Sequence, residues 1–274
     1  MKKMLTLLAG FALSYSVANA ASVDTALIHS ASMNKDVKCV VVKPNSYASN
    51  STQKFPVVYL LHGYSGSYNN WVKKVPEVQT LADQYNLIIV CPDGAFSSWY
   101  FDSPVDPTMR YETNVAVEIP AYIEQNYRTI QDRKARAITG LSMGGHGGLY
   151  LGFRHADYFG ACGSMSGAMV ISMIKKGYDM QKLLGDTTNT ELYNRYSVMY
   201  EMEHYPKDSL AIIMDCGVDD FVIEMSRAAH QKMLKLKIPH DYTERPGKHD
   251  WKYWQNSLKY QLLYFREFFT KNGY

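Results

Sequence analysis

Short apolar runs alternate with amphipathic stretches along most of this chain. Six runs rich in Val and Ile carry few polar residues on either face, which is typical of strands inside a parallel sheet that is covered on both sides. These predicted strands cover residues 37–42, 57–61, 87–91, 135–141, 161–165 and 211–216. A seventh strand is predicted over residues 238–244, and the earliest strands are candidates for an antiparallel edge.

Helical spacing of apolar residues occurs between these runs. It is present over residues 115–127 and 225–236, and again in the aromatic-rich stretch 251–269. The alternation of strands and helices predicts an α/β fold with a mostly parallel central sheet and helices on both faces. Segment 168–206, rich in Met, Tyr and Lys, breaks the alternation and is predicted to be a helical insertion. It either covers an active site or is a crossover with no role in catalysis.

The first twenty residues have the three-part pattern of a secretory signal peptide. Lys2 and Lys3 precede an apolar core over residues 5–12, and Ala18-Asn19-Ala20 is a small-x-small cleavage site. The apolar core is too short to span a membrane. The pattern predicts export to the periplasm or the cell exterior. The length of the remainder predicts one domain over residues 21–274, or at most two small ones.

Charge and cysteine content narrow the classes of partner. The chain has 29 Lys and Arg against 26 Asp and Glu, a balance that does not favour a nucleic-acid partner. An exported protein can form disulfides, but the four cysteines lie in or beside predicted strands, where buried free thiols are the favoured interpretation. The four cysteines are Cys39, Cys91, Cys162 and Cys216. Their spacing is not that of metal ligands.

The most informative motif is the run Gly140-Leu141-Ser142-Met143-Gly144-Gly145. It follows a predicted strand and opens a predicted helix. A serine between glycines on such a turn is typical of a nucleophile elbow, which exposes the serine hydroxyl above the carboxyl edge of a sheet. Ser142 is therefore the candidate nucleophile.

An acid and a base are expected after this serine, in that order along the chain. The predicted strand 211–216 leads into a loop, so Asp215, Asp219 and Asp220 are competing candidates for the acid. A helix N-cap is the alternative role for each of them. His249 follows the last predicted strand and opens the final helix, where it is the candidate base.

Two backbone N–H groups are expected to hold the oxyanion of such a site. One is that of Met143, the residue after the serine. The other is that of Tyr64, because His62-Gly63-Tyr64 directly follows the predicted strand 57–61. His62 is expected to orient this loop rather than to act as the base.

The tryptophans lie next to these same segments. Trp71, Trp99 and Trp251 are candidates for substrate binding, since aromatic walls suit an acyl group, an aryl group or a sugar ring. Packing beneath the loops is the alternative role for each, and for Trp254 as well.

Together these stretches resemble a family of α/β hydrolases that includes carboxylesterases, S-formylglutathione hydrolases, feruloyl and acetyl-xylan esterases, and mycolyltransferases. The resemblance extends over residues 57–254. It is carried by Leu60–Gly66 with Trp71, Pro92-Asp93-Gly94 with Ser98-Trp99-Tyr100, Tyr111-Glu112, the elbow itself, Cys216-Gly217 with Asp220-Phe221, and Pro246–Trp251 with Trp254.

The resemblance implies an α/β-hydrolase fold with Ser142 as nucleophile, His249 as base and Asp220 as acid in a Gly-x-x-Asp-Phe pattern. It implies Tyr64 and Met143 as oxyanion donors, and neither cofactor nor metal. His146 departs from the family pattern, in which an aromatic or other bulky residue usually follows the elbow.

The predicted function is secreted hydrolysis of carboxylic esters through an acyl-enzyme. The expected substrates are short acyl or aryl esters, including feruloyl or acetyl groups on plant polysaccharide. An acyltransferase with a sugar or alcohol acceptor would use the same residues and is the alternative. A binding protein that has kept the hydrolase fold without activity is a second alternative, disfavoured because the candidate serine, acid and base are all present.

Overall fold

An eight-stranded sheet organises the chain in the computed structural model, which describes residues 21–206 and 209–274. The predicted signal peptide, residues 1–20, lies outside the described residues. The strands are β1 (Ser22–Ser30), β2 (Lys35–Lys43), β3 (Val57–Leu61), β4 (Ile88–Pro92), β5 (Arg136–Gly140), β6 (Ala161–Met165), β7 (Ala211–Gly217) and β8 (Asp241–Arg245). Their order across the sheet is β1-β2-β4-β3-β5-β6-β7-β8.

Only the β1 edge of the sheet is antiparallel. β1 pairs with β2 and β2 with β4 in antiparallel fashion, whereas β4, β3, β5, β6, β7 and β8 form a parallel array. The predicted mostly parallel sheet is therefore confirmed. Because the parallel strands share one direction, the loops that follow β3, β5, β7 and β8 all emerge at the same edge.

Helices cover both faces of the sheet. They are α1 (Asn45–Ser49), α2 (Asn70–Lys74), α3 (Glu77–Tyr85), α4 (Tyr111–Thr113), α5 (Ile119–Asn126), α6 (Met143–Arg154), α7 (Met180–Leu184), α8 (Thr190–Arg195), α9 (Val198–Glu201), α10 (Ile223–Leu236) and α11 (Trp251–Lys271). A π-helical turn, Asn114–Glu118, joins α4 to α5, and the short 3₁₀ turns are Arg133–Ala135 and Ile171–Met173.

Strand alternation divides the core into two layers. In β3, Val57, Tyr59 and Leu61 pack into the layer that contains residues of α6 and α10. Val58 and Leu60 pack into the opposite layer, which is built largely from α3 and α11. Because successive side chains of a strand point to opposite faces, a strand buried on both faces must be apolar throughout, as the run 57–61 is.

Several element boundaries differ from the sequence prediction. β1 was not predicted, since only alternate residues of it are buried, among them Ala26 and Ile28, while Leu27 is exposed. The last strand was predicted to begin at residue 238 but begins at Asp241, after Pro239, whose missing N–H cannot join a ladder. The helix predicted over 115–127 instead forms α5, with α4 and the π-helical turn before it.

The segment predicted as a helical insertion, 168–206, contains the 3₁₀ turn Ile171–Met173 and the short helices α7, α8 and α9. It joins β6 to β7. All four cysteines are buried free thiols. No helix within residues 21–206 or 209–274 is both long and apolar enough to cross a membrane.

Candidate active site

Ser142 lies on a sharp turn between β5 and α6. Its backbone has φ 54° and ψ −114°, a conformation that costs a non-glycine residue about 1–3 kcal/mol. Small neighbours make the turn possible: a Cβ on Gly140 would lie 2.6 Å from the Gly144 carbonyl oxygen, and one on Gly144 would lie 2.6 Å from the His62 carbonyl oxygen. The Ser142 N–H donates to the Met165 carbonyl at 2.9 Å, which ties the turn to β6.

The structure brings Ser142, His249 and Asp220 into one hydrogen-bonded chain. The Ser142 hydroxyl lies 2.8 Å from His249 Nε2. His249 Nδ1 lies 2.9 Å and 2.8 Å from the two carboxylate oxygens of Asp220. A carboxylate can only accept, so Nδ1–H donates to Asp220, and Nε2 is left to accept from the serine. Acyl transfer by serine requires this arrangement of donors and acceptors.

The three candidate acids are clearly separated by their surroundings. The Asp220 carboxylate is buried, and its Oδ1 also accepts the Val222 N–H at 3.0 Å. Asp219 is exposed, and the hydrogen bonds of the His249 ring go to Asp220 and Ser142. Asp215 is buried too, but it accepts hydrogen bonds from side chains of α11. Among the three, Asp220 alone contacts His249.

The loop that carries His249 is fastened to the loop that carries Asp220. The Val218 N–H donates to the Arg245 carbonyl at 2.9 Å, and the Asp219 N–H donates to the Gly247 carbonyl at 3.0 Å. A Cβ on Gly217 would lie 2.4 Å from that same carbonyl oxygen. Asp250 then caps α11 by accepting the Tyr253 N–H at 2.9 Å. The approach of these two loops sets the distance between acid and base.

The loop after β3 lies against the nucleophile. A Cβ on Gly63 would be 3.4 Å from the Ser142 Cβ, so the two segments are in contact. Among the described residues, neither the Tyr64 N–H nor the Met143 N–H has a hydrogen-bond acceptor. Two uncommitted donors at a reacting serine are what an oxyanion hole needs.

His62 is buried beneath this loop. Its Nε2 accepts the Gly94 N–H at 2.8 Å, and its Nδ1–H donates to the Gly63 carbonyl at 2.8 Å. Burial lowers the pKa of His62, which favours the neutral ring that this bonding needs. The ring therefore holds the loop after β3 to the loop after β4, and it makes no contact with Ser142.

A cavity of about 480 Å³ opens over Ser142. Its walls combine backbone of the β3 and β5 loops with aromatic side chains and one lysine. They are formed by Gly63, Tyr64, Ser65, Gly66, Asn70, Lys74, Leu141, Ser142, Tyr178, Phe221, His249, Trp251 and Trp254.

The predicted tryptophans divide into two groups. Trp251 lines the cavity, and so does Trp254. Trp71 and Trp99 are buried and do not line it. The Trp71 indole N–H donates to the Leu61 carbonyl at 3.0 Å, and that of Trp99 donates to the Tyr178 carbonyl at 3.1 Å. These two rings support loops from below, which is the packing role.

The helical insertion contributes to the cavity through Tyr178, which no motif indicated. Its carbonyl is held by Trp99, and the next residue, Asp179, accepts a hydrogen bond from the Tyr64 hydroxyl at 3.2 Å. His146 adds a second link, since its ring nitrogens lie 3.1 Å and 2.8 Å from the carbonyls of Trp99 and Tyr196. Burial lowers the pKa of His146 to about 4.

Backbone strain concentrates in the loops at this edge of the sheet. Non-glycine residues held at positive φ follow β3, β4, β5 and β6, a clustering that is typical of functional sites. They are Ser65, Ala95, Trp99, Tyr100, Ser142, Ser166, Tyr178 and Asp179.

Sequence patterns alone did not indicate Lys74, Asn70 or Tyr178 as part of the site. Phe221 was quoted only as part of a motif, yet its ring lies 4.4 Å from that of His249 and is 66% exposed. As for metals, no three His, Cys, Asp or Glu side chains in residues 21–206 and 209–274 are grouped so that they could hold an ion.

Comparison with known proteins gives consistent relatives. Residues 30–265 match the family described as "Putative esterase". An acetyl esterase from Caldicellulosiruptor saccharolyticus is 28% identical over 226 residues, which cover 76% of this chain and 82% of the relative. A solved ferulic acid esterase is 31% identical, with a TM-score of 0.79 over 91% of this chain and 98% of that chain. A fluorophosphonate-binding serine hydrolase of Staphylococcus aureus shares the fold, with 17% identity and a TM-score of 0.81 over 90% of this chain and 99% of that chain.

Proposed function

The chain belongs to the esterase family of α/β hydrolases and is a carboxylic ester hydrolase, and from this premise we propose that it acts through an acyl-enzyme on Ser142, with His249 as base and Asp220 as acid. The observation that carries the proposal is the unbroken hydrogen-bonded chain from the Ser142 hydroxyl through His249 to Asp220.

The first half-reaction transfers the acyl group to the enzyme. His249 Nε2 takes the Ser142 proton as the serine oxygen attacks the ester carbonyl. Asp220 keeps the other ring nitrogen protonated and stabilises the imidazolium that forms. The N–H groups of Tyr64 and Met143 hold the oxyanion, a contribution worth about 3–4 kcal/mol per donor at other sites of this kind. The C–O bond to the alcohol then breaks, and the alcohol leaves with the proton from His249, which completes the first half-reaction.

The second half-reaction returns the enzyme to its starting state. Water enters, loses a proton to the same nitrogen and attacks the acyl carbonyl. The carboxylic acid departs, and the proton returns to Ser142.

Short acyl and aryl esters are the proposed substrates, including acetyl or feruloyl groups on plant polysaccharide. Two kinds of observation support this choice. The cavity walls are aromatic at Tyr178, Phe221 and Trp251. The similar proteins include an acetyl esterase and a ferulic acid esterase.

Ser142→Ala tests the nucleophile. The variant should fold and lose turnover of 4-nitrophenyl acetate, and a fluorophosphonate probe should label the wild type at Ser142 and leave the variant unlabelled. Retained turnover together with labelling elsewhere would remove Ser142 from the mechanism.

A substrate panel then separates the acyl classes: nitrophenyl esters from acetyl to octanoyl, methyl ferulate and acetylated xylan. Assays with added alcohol distinguish hydrolysis from acyl transfer by their products.

Export belongs to the same proposal. The pattern of residues 1–20, with Lys2 and Lys3 before an apolar core and Ala18-Asn19-Ala20 at its end, supports a cleaved leader that delivers the enzyme to the periplasm or beyond. N-terminal sequencing of the protein from a secreting host should give Ala21 first. An uncleaved chain confined to the cytoplasm would contradict this part.

A further inference from the structure

Lys74 places a positive charge in the cavity over Ser142, and the proposed mechanism does not use this charge. It is the last residue of α2, and its side chain lines the cavity wall. No Asp or Glu is among the residues that line this cavity. Lys74 has no ion pair or hydrogen bond with a side chain in the described parts of the chain. The wall therefore presents one uncompensated positive charge to whatever enters.

Trp254 adds a second donor on the same side of the cavity. Trp71 of α2 packs against Trp251, with ring centroids 5.4 Å apart, and Trp251 packs against Trp254 at 5.5 Å. Its side chain is 7% exposed and lines the cavity, and among the described residues its indole N–H has no acceptor. An indole N–H can donate a hydrogen bond but cannot accept one, and the same holds for an ammonium group. Asn70, which also lines the cavity, already uses its amide on Ser67. Lys74 and Trp254 therefore both contribute uncommitted donors to the cavity lining.

The position of this wall relative to His249 indicates which half of an ester it contacts. The Trp254 ring packs edge-on against the His249 ring, with centroids 4.9 Å apart. The imidazole gives its proton to the leaving oxygen, so the alcohol half of the ester lies on the imidazole's side of the serine. The wall with Lys74 and Trp254 therefore adjoins the leaving group.

We propose that this wall is a subsite for a carboxylate on the alcohol half of the ester, so that the enzyme prefers acyl esters of hydroxy acids or sugar acids to those of neutral alcohols. Lys74 supplies the positive charge, and the buried Trp254 N–H is an unpaired donor beside it. The inference rests on the proposed function of Ser142, since it assigns a preference to the same site.

A matched pair of substrates isolates the charge. 4-Acetoxybenzoate and its methyl ester have the same acetyl group and the same ring, and they differ in one carboxylate on the leaving group. The quantity to measure is the ratio of their kcat/KM values, because this ratio cancels effects of a variant on the chemical step. Lys74→Met should lower the ratio about fivefold, the loss expected for one partly exposed charge pair. Lys74→Arg should keep most of it.

Lys73→Met is the matched control. Lys73 is the preceding residue of α2, is also exposed, and does not line the cavity. Its replacement removes the same charge from the protein and should leave the ratio within about 1.5-fold of the wild type. Equal changes of the ratio in the Lys73 and Lys74 variants would mean that the preference comes from long-range attraction, and this result would overturn the subsite.

A second pair of substrates tests whether the subsite contacts the alcohol half of the ester, because in this pair the carboxylate is on the acyl half. The ratio for 4-nitrophenyl hemisuccinate against 4-nitrophenyl butyrate should respond to Lys74→Met by less than about twofold. A larger response here than with the acetoxybenzoates would overturn the placement beside the leaving group.

A binding measurement separates this proposal from the proposed function. In Ser142→Ala, which should not turn over, 4-acetoxybenzoate should bind more tightly than its methyl ester, and adding Lys74→Met should abolish the difference. If the wild type turns over no ester and a fluorophosphonate does not label Ser142, the proposed function fails while the binding test still decides the subsite. Equal binding of the two esters would overturn the subsite even if hydrolysis is confirmed.

Discussion

Asp215 and Asp220 come from the same end of β7, and both side chains are fully shielded from solvent. Asp215 accepts hydrogen bonds from Tyr253 at 2.9 Å, Ser257 at 2.5 Å and Gln261 at 2.8 Å. Asp220 accepts instead from His249 and from one backbone N–H. Two equally buried carboxylates are therefore surrounded by entirely different partners.

The difference lies in what those partners face. The three hydrogen-bond donors to Asp215 belong to α11 and lie between that helix and the sheet, so their hydrogen bonds hold the helix in place. Arg245, at the end of β8, also lies 3.6 Å from this carboxylate. The partner of Asp220 faces Ser142 with its other nitrogen. Burial is alike at the two positions, and only the second is connected to a group that can move a proton. The role of a buried carboxylate thus follows from its partners' surroundings.

Removing the charge at Asp220 should have the largest effect. In Asp220→Asn the amide can donate to the imidazole, which favours the wrong tautomer for accepting the Ser142 proton. We expect kcat for 4-nitrophenyl acetate to fall about 10³-fold or more, with little change in the unfolding midpoint. Steady-state kinetics and urea unfolding on the same preparation measure both. Near-normal activity in this variant would show that His249 needs no carboxylate here.

Asp215→Asn should have the opposite result, a loss of stability with little loss of activity. The new amide group would face the Gln261 side-chain N–H₂ or leave a hydroxyl without its acceptor, so we expect a loss of about 1–3 kcal/mol in the free energy of unfolding at neutral pH. Activity per folded molecule should stay within about threefold of the wild type, because Asp220 and His249 are untouched. A loss of activity without a loss of stability would make Asp215 part of the catalytic group and erase the distinction.

Sequence patterns predicted that the acid lies at the carboxyl edge of the sheet, but by themselves they could not decide which aspartate it is. The apolar runs and the glycines around Ser142 depend on local sterics, which a sequence displays directly. The residue pattern by itself left Asp215, Asp219 and Asp220 as competing candidates, and only the family resemblance favoured Asp220, because the choice depends on α11 and the β8 loop, which are distant in sequence. Trp71 and Trp99 were predicted as candidates for substrate binding but do not line the cavity, because their indole N–H groups bond to backbone carbonyls, which no residue pattern reveals.

The pH dependence of stability sharpens the comparison further. Burial raises the pKa of Asp215 above its ordinary value of 3.8, in spite of the hydrogen bonds from Ser257 and Gln261. The folded protein therefore keeps this proton to a higher pH than the unfolded chain does. The stabilisation from the protonated group is complete below pH 3.8 and is lost as the pH rises through the raised pKa.

The measurement is the difference in free energy of unfolding between the wild type and Asp215→Asn, followed by urea unfolding from about pH 4 upward. The difference should shrink as the pH rises, because the variant has no proton to lose at this position. Glu112 and Glu118, whose pKa values are lowered in the folded protein, titrate in both proteins and cancel. Parallel curves would mean that Asp215 keeps the same pKa in the folded and unfolded states.

The smallest effect is expected at Asp219, which lies between these two carboxylates in the chain. Its side chain is exposed, and only its backbone N–H takes part in joining the two loops, by donating to the Gly247 carbonyl. Asp219→Asn keeps that N–H, so we expect activity within about twofold of the wild type and a stability change within about 0.5 kcal/mol. The same kinetic and unfolding assays check both values. A large loss of activity at Asp219 alongside a small one at Asp220 would move the acid to the exposed position, and burial of the carboxylate would then be irrelevant to its role.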